Sequence, residues 1–426
     1  MRLPTWIALI VWLLSAAAAL KTGRDILYNT FYLITLTLIL SWIWAWQNIR
    51  NLEILRRVRT PRSQVGRIVE ESFEARNQGR LPKIWVEITD QSDLPGHRAS
   101  RVLVALKRKR KHIWKVRTPA VRRGRYHLGP VQLRSGDPLG IFEFKRPIPG
   151  YHNILVYPAT YDIPGFQLPP GRAPGGKVAR FRTHYLTTNV ASVRDYVPGD
   201  SFNRIHWPSS ARTGRLIAKE FELDPTSDVW LLLDLDESWH AASPFEPAIP
   251  TFIPAASGPK PRKSEPALLP ATIEYGTAAA ASIAQRYLIE RRAVGLITYA
   301  PQRQILQLER GHRQFTKILE TLAVVEPGPS VSFDRVLVAE GHFLSRNTTV
   351  VAISASADNA WVSALRDYRR RGISVTAIVI AGATFGPLPP FQPILTELWA
   401  SQIPVYVLRA GDSISAALSR MALPES

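Results

Sequence analysis

Cysteine is absent from the 426 residues. A disulfide framework and a thiolate metal site are both excluded, and the redox compartment is left open. Charge is missing from two long stretches. Residues 3–20 (LPTWIALIVWLLSAAAAL) and 26–46 (ILYNTFYLITLTLILSWIWAW) contain no Asp, Glu, Lys or Arg. An RNA-binding signature and an obvious recognition helix are missing as well, so nucleic acid is not an expected partner. No G-x-S-x-G elbow frames Ser209 or Ser210. The histidine beside them, His206, has no nucleophile at a plausible spacing, which argues against acid–base catalysis there.

The two uncharged stretches are themselves informative. At ~1.5 Å per residue each approaches the ~30 Å of a hydrocarbon core. Trp42, Trp44 and Trp46 close the second and suit an interfacial belt. The intervening KTGRD is five residues, so residues 1–50 read as a tight transmembrane helical hairpin with spans at about 3–20 and 26–46. Arg50, Arg56, Arg57, Arg59 and Arg62 follow the second span. The positive-inside rule then gives a two-pass protein of the cell (inner or plasma) membrane, with the N-terminus and the large C-terminal region cytoplasmic. The competing reading of the first span is a cleaved signal peptide. Its length and single preceding basic residue, Arg2, argue against that, and the bulk of the chain is cytoplasmic on either reading.

The formal charge is +20, and residues 47–150 carry 24 Lys or Arg against 9 Asp or Glu. Most of the excess therefore sits in one region, which reads as an electrostatic surface. Within residues 60–160 the pattern is short alternating runs broken by turns: KIWVEIT, RVLVALKRK, RYHLGPVQL and GIFEFKRPI. Period-two alternation predicts a small β-sandwich or barrel. Lys107, Arg108, Lys109, Arg110 and Lys111 form the densest basic run. They read either as the solvated end of a strand and its turn or as a contact with the anionic inner leaflet.

Residues 161–227 comprise a Pro/Gly/Arg-rich connector, expected to hold little packed core, and a charged segment. From 228 to 426 the rhythm becomes alternating strands and helices. Strands are expected at 229–236, 293–300, 348–355, 373–381 and 404–410, and helices at 271–291, 311–323, 358–371, 391–401 and 412–422. Continuous apolar strands between helices predict a doubly wound, Rossmann-type α/β domain with a mainly parallel sheet. Residues 241–270 hold eight prolines and read as an extended or disordered insertion.

Two groups of residues are candidates for function. Asp234, Asp236 and Ser238 follow the first α/β strand, and their oxygens suit a hard cation such as Mg²⁺. The alternative is a polar strand end whose carboxylates bond the backbone amides that come next. Arg194, Asp195, Tyr196, Gly199, Asp200, Arg204, His206, Trp207, Arg212 and Lys219 pack charge around a Gly-Asp turn. They are expected to bridge the β module and the α/β domain by charge-assisted bonds, with Trp207 anchoring the seam, or to dock a partner.

Several motifs resemble one family. Tyr196 to Asp200, Arg204 to Trp207, Ala211 to Leu216, RRGRYHLGP at 122–130 and SGDPLGIF at 135–142 are similar to the signature of the "domain of unknown function 58" proteins. The resemblance implies a membrane-anchored protein with a β domain and a von Willebrand factor type A-like domain. Such proteins are often encoded beside MoxR-type AAA+ ATPases and transglutaminase-like membrane proteins, which become the implied partners together with membrane lipids. Type A domains often hold Mg²⁺ through Asp-x-Ser-x-Ser, the metal-ion-dependent adhesion site (MIDAS). Here Asp234, Asp236 and Ser238 match with Asp in place of the first Ser, while Ser354 stands where a second Asp is expected and Asp358 comes four residues later. No cofactor beyond that incomplete Mg²⁺ site is implied.

The expected function is non-enzymatic: a membrane-tethered scaffold whose α/β domain docks a cytosolic ATPase in assembly or maturation. The alternatives are a metal-dependent hydrolase using Asp234, Asp236 and Ser238, and a binder of anionic lipid or nucleic acid through the basic run.

Overall fold

Two apolar helices lead the chain, α1 (Leu3–Thr22) and α2 (Asp25–Ile49). The computed structural model describes residues 3–79, 81–169, 190–197, 205–221, 228–243, 266–299, 302–329, 331–345 and 348–423. Contacts among them define two compact units, one built on Met1–Ala159, the other on Thr160–Ser243, Pro270–Ile318 and Glu326–Ser426. In the most apolar windows of α1 and α2 only 11% and 6% of residues are buried. A soluble core helix would hide such a surface, whereas these two are long and apolar enough to cross a membrane. They pack together through Trp12, whose Nε1 donates to Thr35 Oγ1 at 2.8 Å and whose ring lies 5.7 Å from that of Phe31. The connection is shorter than the expected five residues. α1 runs through Lys21 and Thr22, and the reversal is made by Gly23 at φ +65, a left-handed helix end that glycine adopts without a Cβ penalty.

The β module of the first unit begins at Leu52, earlier than the alternation alone suggested. Its strands are β1 (Leu52–Val58), β2 (Arg62–Gln64), β3 (Ile68–Asn77), β4 (Lys83–Asp90), β5 (Arg101–Leu106), β6 (Lys111–Pro119), β7 (Gly124–Leu128), β8 (Val131–Gly136), β9 (Glu143–Ile148) and β10 (His152–Tyr157). They form sheets of order β1-β3-β6, β5-β4-β8-β9 and β2-β10-β7. The first two sheets share one apolar core. Phe73 stacks on Trp114 at 5.1 Å, and Val86, Ile88, Leu103 and Leu133 belong to the same cluster. The single run RYHLGPVQL splits into β7 and β8, which lie in different sheets. Gly129 takes φ +97 so close to Gly150 that an added Cβ would lie 2.4 Å from its carbonyl oxygen. Pro130 then supplies no ladder donor.

A buried polar network cuts into this module. The Arg56 guanidinium meets Glu71 Oε2 at 2.7 Å and both Asp90 oxygens at 3.1 and 2.9 Å. His97 bonds Asp90 at 2.8 Å and Thr118 at 2.9 Å. Burial alone would push the Asp90 carboxyl up. Bonds from His97 and Ser92, with the Arg56 charge, outweigh it and hold Asp90 below its ordinary value.

The second unit opens at Thr160, so the start of the expected connector is packed. Ile163 and Phe166 are buried, Tyr161 N donates to Ser282 Oγ at 3.0 Å, and the Phe166 ring lies 4.7 Å from Tyr406. β11 (Val190–Asp195) pairs antiparallel with β12 (Ile217–Phe221), and α3 (Trp207–Thr213) lies between them in sequence. The main sheet holds β13 (Asp228–Leu233), β14 (Val294–Tyr299), β15 (Arg303–Glu309), β16 (Thr348–Ser354), β17 (Ser374–Ile380) and β18 (Val405–Leu408). Its order is β15-β14-β13-β16-β17-β18, parallel except for β15. The accompanying helices are α4 (Thr272–Ile289), α5 (His312–Val324), α6 (Phe333–Glu340), α7 (Ala360–Arg370), α8 (Gln392–Ala400) and α9 (Ile414–Leu418).

Alternate residues of the strands face opposite sides. Leu232, Ala352 and Val379 join the cluster built with Phe333, Trp361 and Leu398 of α6, α7 and α8. On the other side Gly276 of α4 sits where an added Cβ would be 3.1 Å from Ile380 and 3.2 Å from Leu233. Cover on both faces explains why these strands read as unbroken apolar runs. Between residues 228 and 426, β15 and α6 were not expected from sequence, and neither were β11, α3 and β12 in the segment read as a connector. The proline-rich insertion starts and ends at one place: Ala242 bridges Ala271, and Ser243 N donates to Pro270 O at 2.9 Å. Its residues 244–265 lie outside the described residues.

Candidate functional site

The sheet order reverses at β13, which has β14 on one side and β16 on the other. Beyond the carboxyl ends of such strands an open α/β sheet leaves a crevice. Asp234 stands there, one residue past β13, with its N–H donating to Ile353 O at 2.9 Å. Asp234 is 3% exposed. Oδ2 accepts from Ser354 Oγ at 2.6 Å and Oδ1 from Asp236 N at 3.1 Å. Burial pushes the Asp234 carboxyl up to about 6, against the opposing bond from Ser354. His240 sits beneath the turn, with Nε2 3.1 Å from Asp234 O and Nδ1 2.9 Å from Thr272 Oγ1.

Asp236 is half-buried, and its Oδ1 accepts from Ser238 N at 3.1 Å, capping a short 3-10 turn over Glu237–Trp239. Ser238 is exposed. The structure thus brings Asp234 to Ser354, and Asp236 to Ser238, as local acceptor–donor pairs. Asp358 is used separately, accepting from Ala360 N at 3.0 Å where α7 begins. A Mg²⁺ centre needs oxygens free to complete an octahedron. Each Asp234 oxygen accepts one internal bond and keeps a second lone pair, and Ser354 supplies a hydroxyl where the resemblance implies a second carboxylate. Among the described residues no three His, Cys, Asp or Glu side chains converge on a metal position. The donor set is thus short of the second carboxylate that the resemblance implies, and no chemical step is derived through a divalent ion.

Beside this turn lies an open cleft of about 680 Å³. Asp236, Glu237 and Ser238 line it, and Tyr299, Ser332 and Arg335 contribute as well. The cleft brings carboxylates together with one arginine, next to the carboxyl ends of β13 and β14. Tyr299 OH donates to Glu340, which also receives Arg303 through Nε at 2.7 Å and Nη2 at 2.9 Å. The Arg303 hydrogen bond, outweighing burial, holds the Glu340 carboxyl below its usual value. Tyr299, Ser332 and Arg335 were not singled out from the sequence. The available signal was a Pro-Gly-Pro turn at 327–329 followed by Ser332 and the helical spacing of Phe333, Val336 and Leu337.

The charged segment is only partly described. Gly199, Asp200 and Arg204 lie outside the described residues, and Arg194 and Lys219 lie on β11 and β12. Asp195 pairs with Arg215 at 3.4 Å on an exposed surface, and Tyr196 N bonds Leu216 O at 2.9 Å. His206 caps α3: its Nδ1 accepts from Ser209 N at 3.2 Å and lies 2.7 Å from Ser209 Oγ. The His206–Ser209 contact is thus the N-cap of α3. Arg212 is exposed. Trp207 is 63% exposed. It occupies the first position of a two-turn helix whose inward residue is Ser210, bonded to Ile217 N at 2.9 Å.

Lys107 to Arg110 make the turn between β5 and β6, Lys111 opens β6, and all five side chains are exposed.

Residues 192–245 match the sequence model of a family described as "Protein of unknown function DUF58". The match spans the charged segment and continues through Asp234, Asp236 and Ser238. "Uncharacterized protein YeaD" of Bacillus subtilis (strain 168) is 24% identical over 329 residues, covering 75% of this chain and 74% of that protein. Both findings support the family resemblance that the motifs carry. Among solved structures, the CARDB domain of the PF1109 protein of Pyrococcus furiosus, in complex with di-metal ions, is 10% identical with a TM-score of 0.19, over 25% of this chain and 86% of that one. The Pseudomonas fluorescens alkylpurine DNA glycosylase AlkC, bound to DNA containing an abasic site analog, is 13% identical with a TM-score of 0.18, over 32% of this chain and 41% of that one. At such scores neither likeness carries an argument.

Proposed function

We propose that this chain is a membrane-tethered interaction protein whose α/β unit, of von Willebrand factor type A-like kind, grips a cytosolic protein partner rather than transforming a substrate. The observation that carries the reading is the open, mixed-charge cleft at the carboxyl ends of β13 and β14, beside carboxylates already committed to internal bonds. The strand order, reversing at β13, is the order of doubly wound nucleotide-binding folds and supports the type A-like assignment. Two apolar helices supply the tether, and the arginines after α2 favour the cytoplasmic side. The family resemblance supplies the partner's class, a MoxR-type AAA+ ATPase. The protein's role is then to hold that ATPase at the membrane during assembly or maturation.

A photo-crosslinking amino acid at Glu237 of the full chain, in membranes holding the cognate ATPase, tests this. Crosslinking to the ATPase from Glu237, and not from Arg366 on α7, is the expected result. Equal yields from both positions, or none from Glu237, would remove the proposal.

A further inference from the structure

The β module is fastened to α2 without a linker. α2 closes with Trp42 and Trp46 stacked at 6.2 Å, and the Arg50 guanidinium lies 4.0 Å over the Trp46 ring. Indole rings beside a guanidinium mark the polar edge of a membrane span. At that edge Lys83 donates to the carbonyls of Gln47 and Arg50, the latter at 2.8 Å. Arg146 donates to Ile49 O at 3.2 Å and Leu52 O at 2.5 Å, and Asn48 Nδ2 to Gly136 O at 3.0 Å. The next loop touches α1, through Thr5 Oγ1 and Ile141 O at 2.5 Å, and leaves Leu139 62% exposed. With α2 crossing a bilayer, this end of the module lies at headgroup level.

Strand register brings the basic turn to the same end. Lys83 pairs with Leu106, and Arg76 pairs with Lys111. Asn77, fully buried, ties the turn down. Its side-chain amide donates to Leu81 O at 2.9 Å and Leu106 O at 3.1 Å. Its backbone donates to Arg110 O at 3.1 Å and accepts from Lys109 N at 3.0 Å. The five exposed cations are thus held in a rigid turn beside the exit of α2. Lys111 lies 4.0 Å from Glu74. Among the described residues, Lys107, Arg108, Lys109 and Arg110 have no carboxylate in ion-pair range.

We infer that the Lys107–Lys111 turn binds the phosphates of anionic phospholipids in the leaflet from which α2 emerges. Clustered like charges repel one another, and a surface of opposite sign relieves that repulsion. Each such cation is attracted to an anionic leaflet, and the attraction falls off within a Debye length. A nucleic acid is disfavoured because the membrane edge of α2 adjoins the turn. The inference rests on α1 and α2 crossing a bilayer and is independent of what the cleft in the α/β unit binds.

The test uses the full chain reconstituted in equimolar phosphatidylglycerol and phosphatidylcholine, with spin-labelled forms of each lipid reporting selection. The wild type should prefer phosphatidylglycerol by roughly five- to tenfold. Lys107→Gln, Arg108→Gln and Lys109→Asn together should cut that below about twofold. The charge-matched set Arg59→Gln, Arg67→Gln and Arg117→Gln, at the opposite end of the β1-β3-β6 sheet, should retain it. A second reading needs no variant: about 1 M salt should abolish the wild-type preference. No preference in the wild type, equal loss in both variant sets, a preference that survives high salt, or turn-dependent DNA binding without lipid selection would each overturn the inference.

Discussion

Asp234 is a carboxylate that burial holds near pH 6, about two units above its value in an unfolded chain. Between roughly pH 4 and 6 the folded state therefore binds a proton that the unfolded state releases. Its contribution is in place below about pH 4 and is lost as pH rises through about 6. The wild type should lose roughly 2–3 kcal/mol across that window relative to Asp234→Asn, which keeps an acceptor for Asp236 N but does not titrate. Unfolding of both proteins in detergent across pH checks this, and parallel stability curves would refute it. Arg56 presents the opposite case, a buried cation facing Glu71 and Asp90. Arg56→Ala strands two carboxylates and should cost about 3–5 kcal/mol. Trp207→Ala, on an exposed face, should stay within about 0.5 kcal/mol. The polar strand end was legible at this scale because Asp234, Asp236 and Ser238 follow an apolar run. The Arg56 network was not. Its partners lie 15, 34 and 41 residues away and are brought together only by sheet pairing.

Elements were legible where burial imposes an unmistakable period. β14, β16, β17 and β18 lie within their expected ranges, and β13 begins one residue before its own, because a sheet covered on both faces demands continuous apolar residues. β15 escaped because this antiparallel edge strand buries none of its residues fully, and RQILQLE offers neither a continuous apolar run nor a clean alternation. α6 escaped because its eight residues are few for a helical period to declare itself. RYHLGPVQL read as one strand because alternation does not reveal a change of sheet. Close packing at the β13–β14 pair gives a sharp test. A Cβ on Gly295 would lie 2.5 Å from the Trp230 ring, so Gly295→Ala should destabilise the α/β unit by about 1–3 kcal/mol. Chemical denaturation followed by tryptophan fluorescence measures it, and an unchanged midpoint would contradict the packing described.

The whole molecule couples an apolar hairpin to a β module, and the same chain supplies an α/β unit with an open strand-end cleft. The hairpin was legible because long uncharged runs have few uses in water. The cleft was not, because two of its walls, Tyr299 and α6, meet Asp236 only after the sheet forms. Absence of cysteine allows a clean topology measurement. A membrane-impermeant maleimide should label Arg24→Cys in intact cells and Ser238→Cys only after lysis; the reverse pattern would invert the orientation. The most direct measurement is the affinity of a purified MoxR-type ATPase for the full chain in nanodiscs. Gripping through the cleft predicts saturable binding that weakens at least tenfold, about 1.4 kcal/mol, when Arg335→Glu and Asp236→Lys reverse its charges. Asp195→Ala, outside the cleft, should leave the affinity unchanged. Binding indifferent to both cleft substitutions, or no binding by the wild type, would contradict the account.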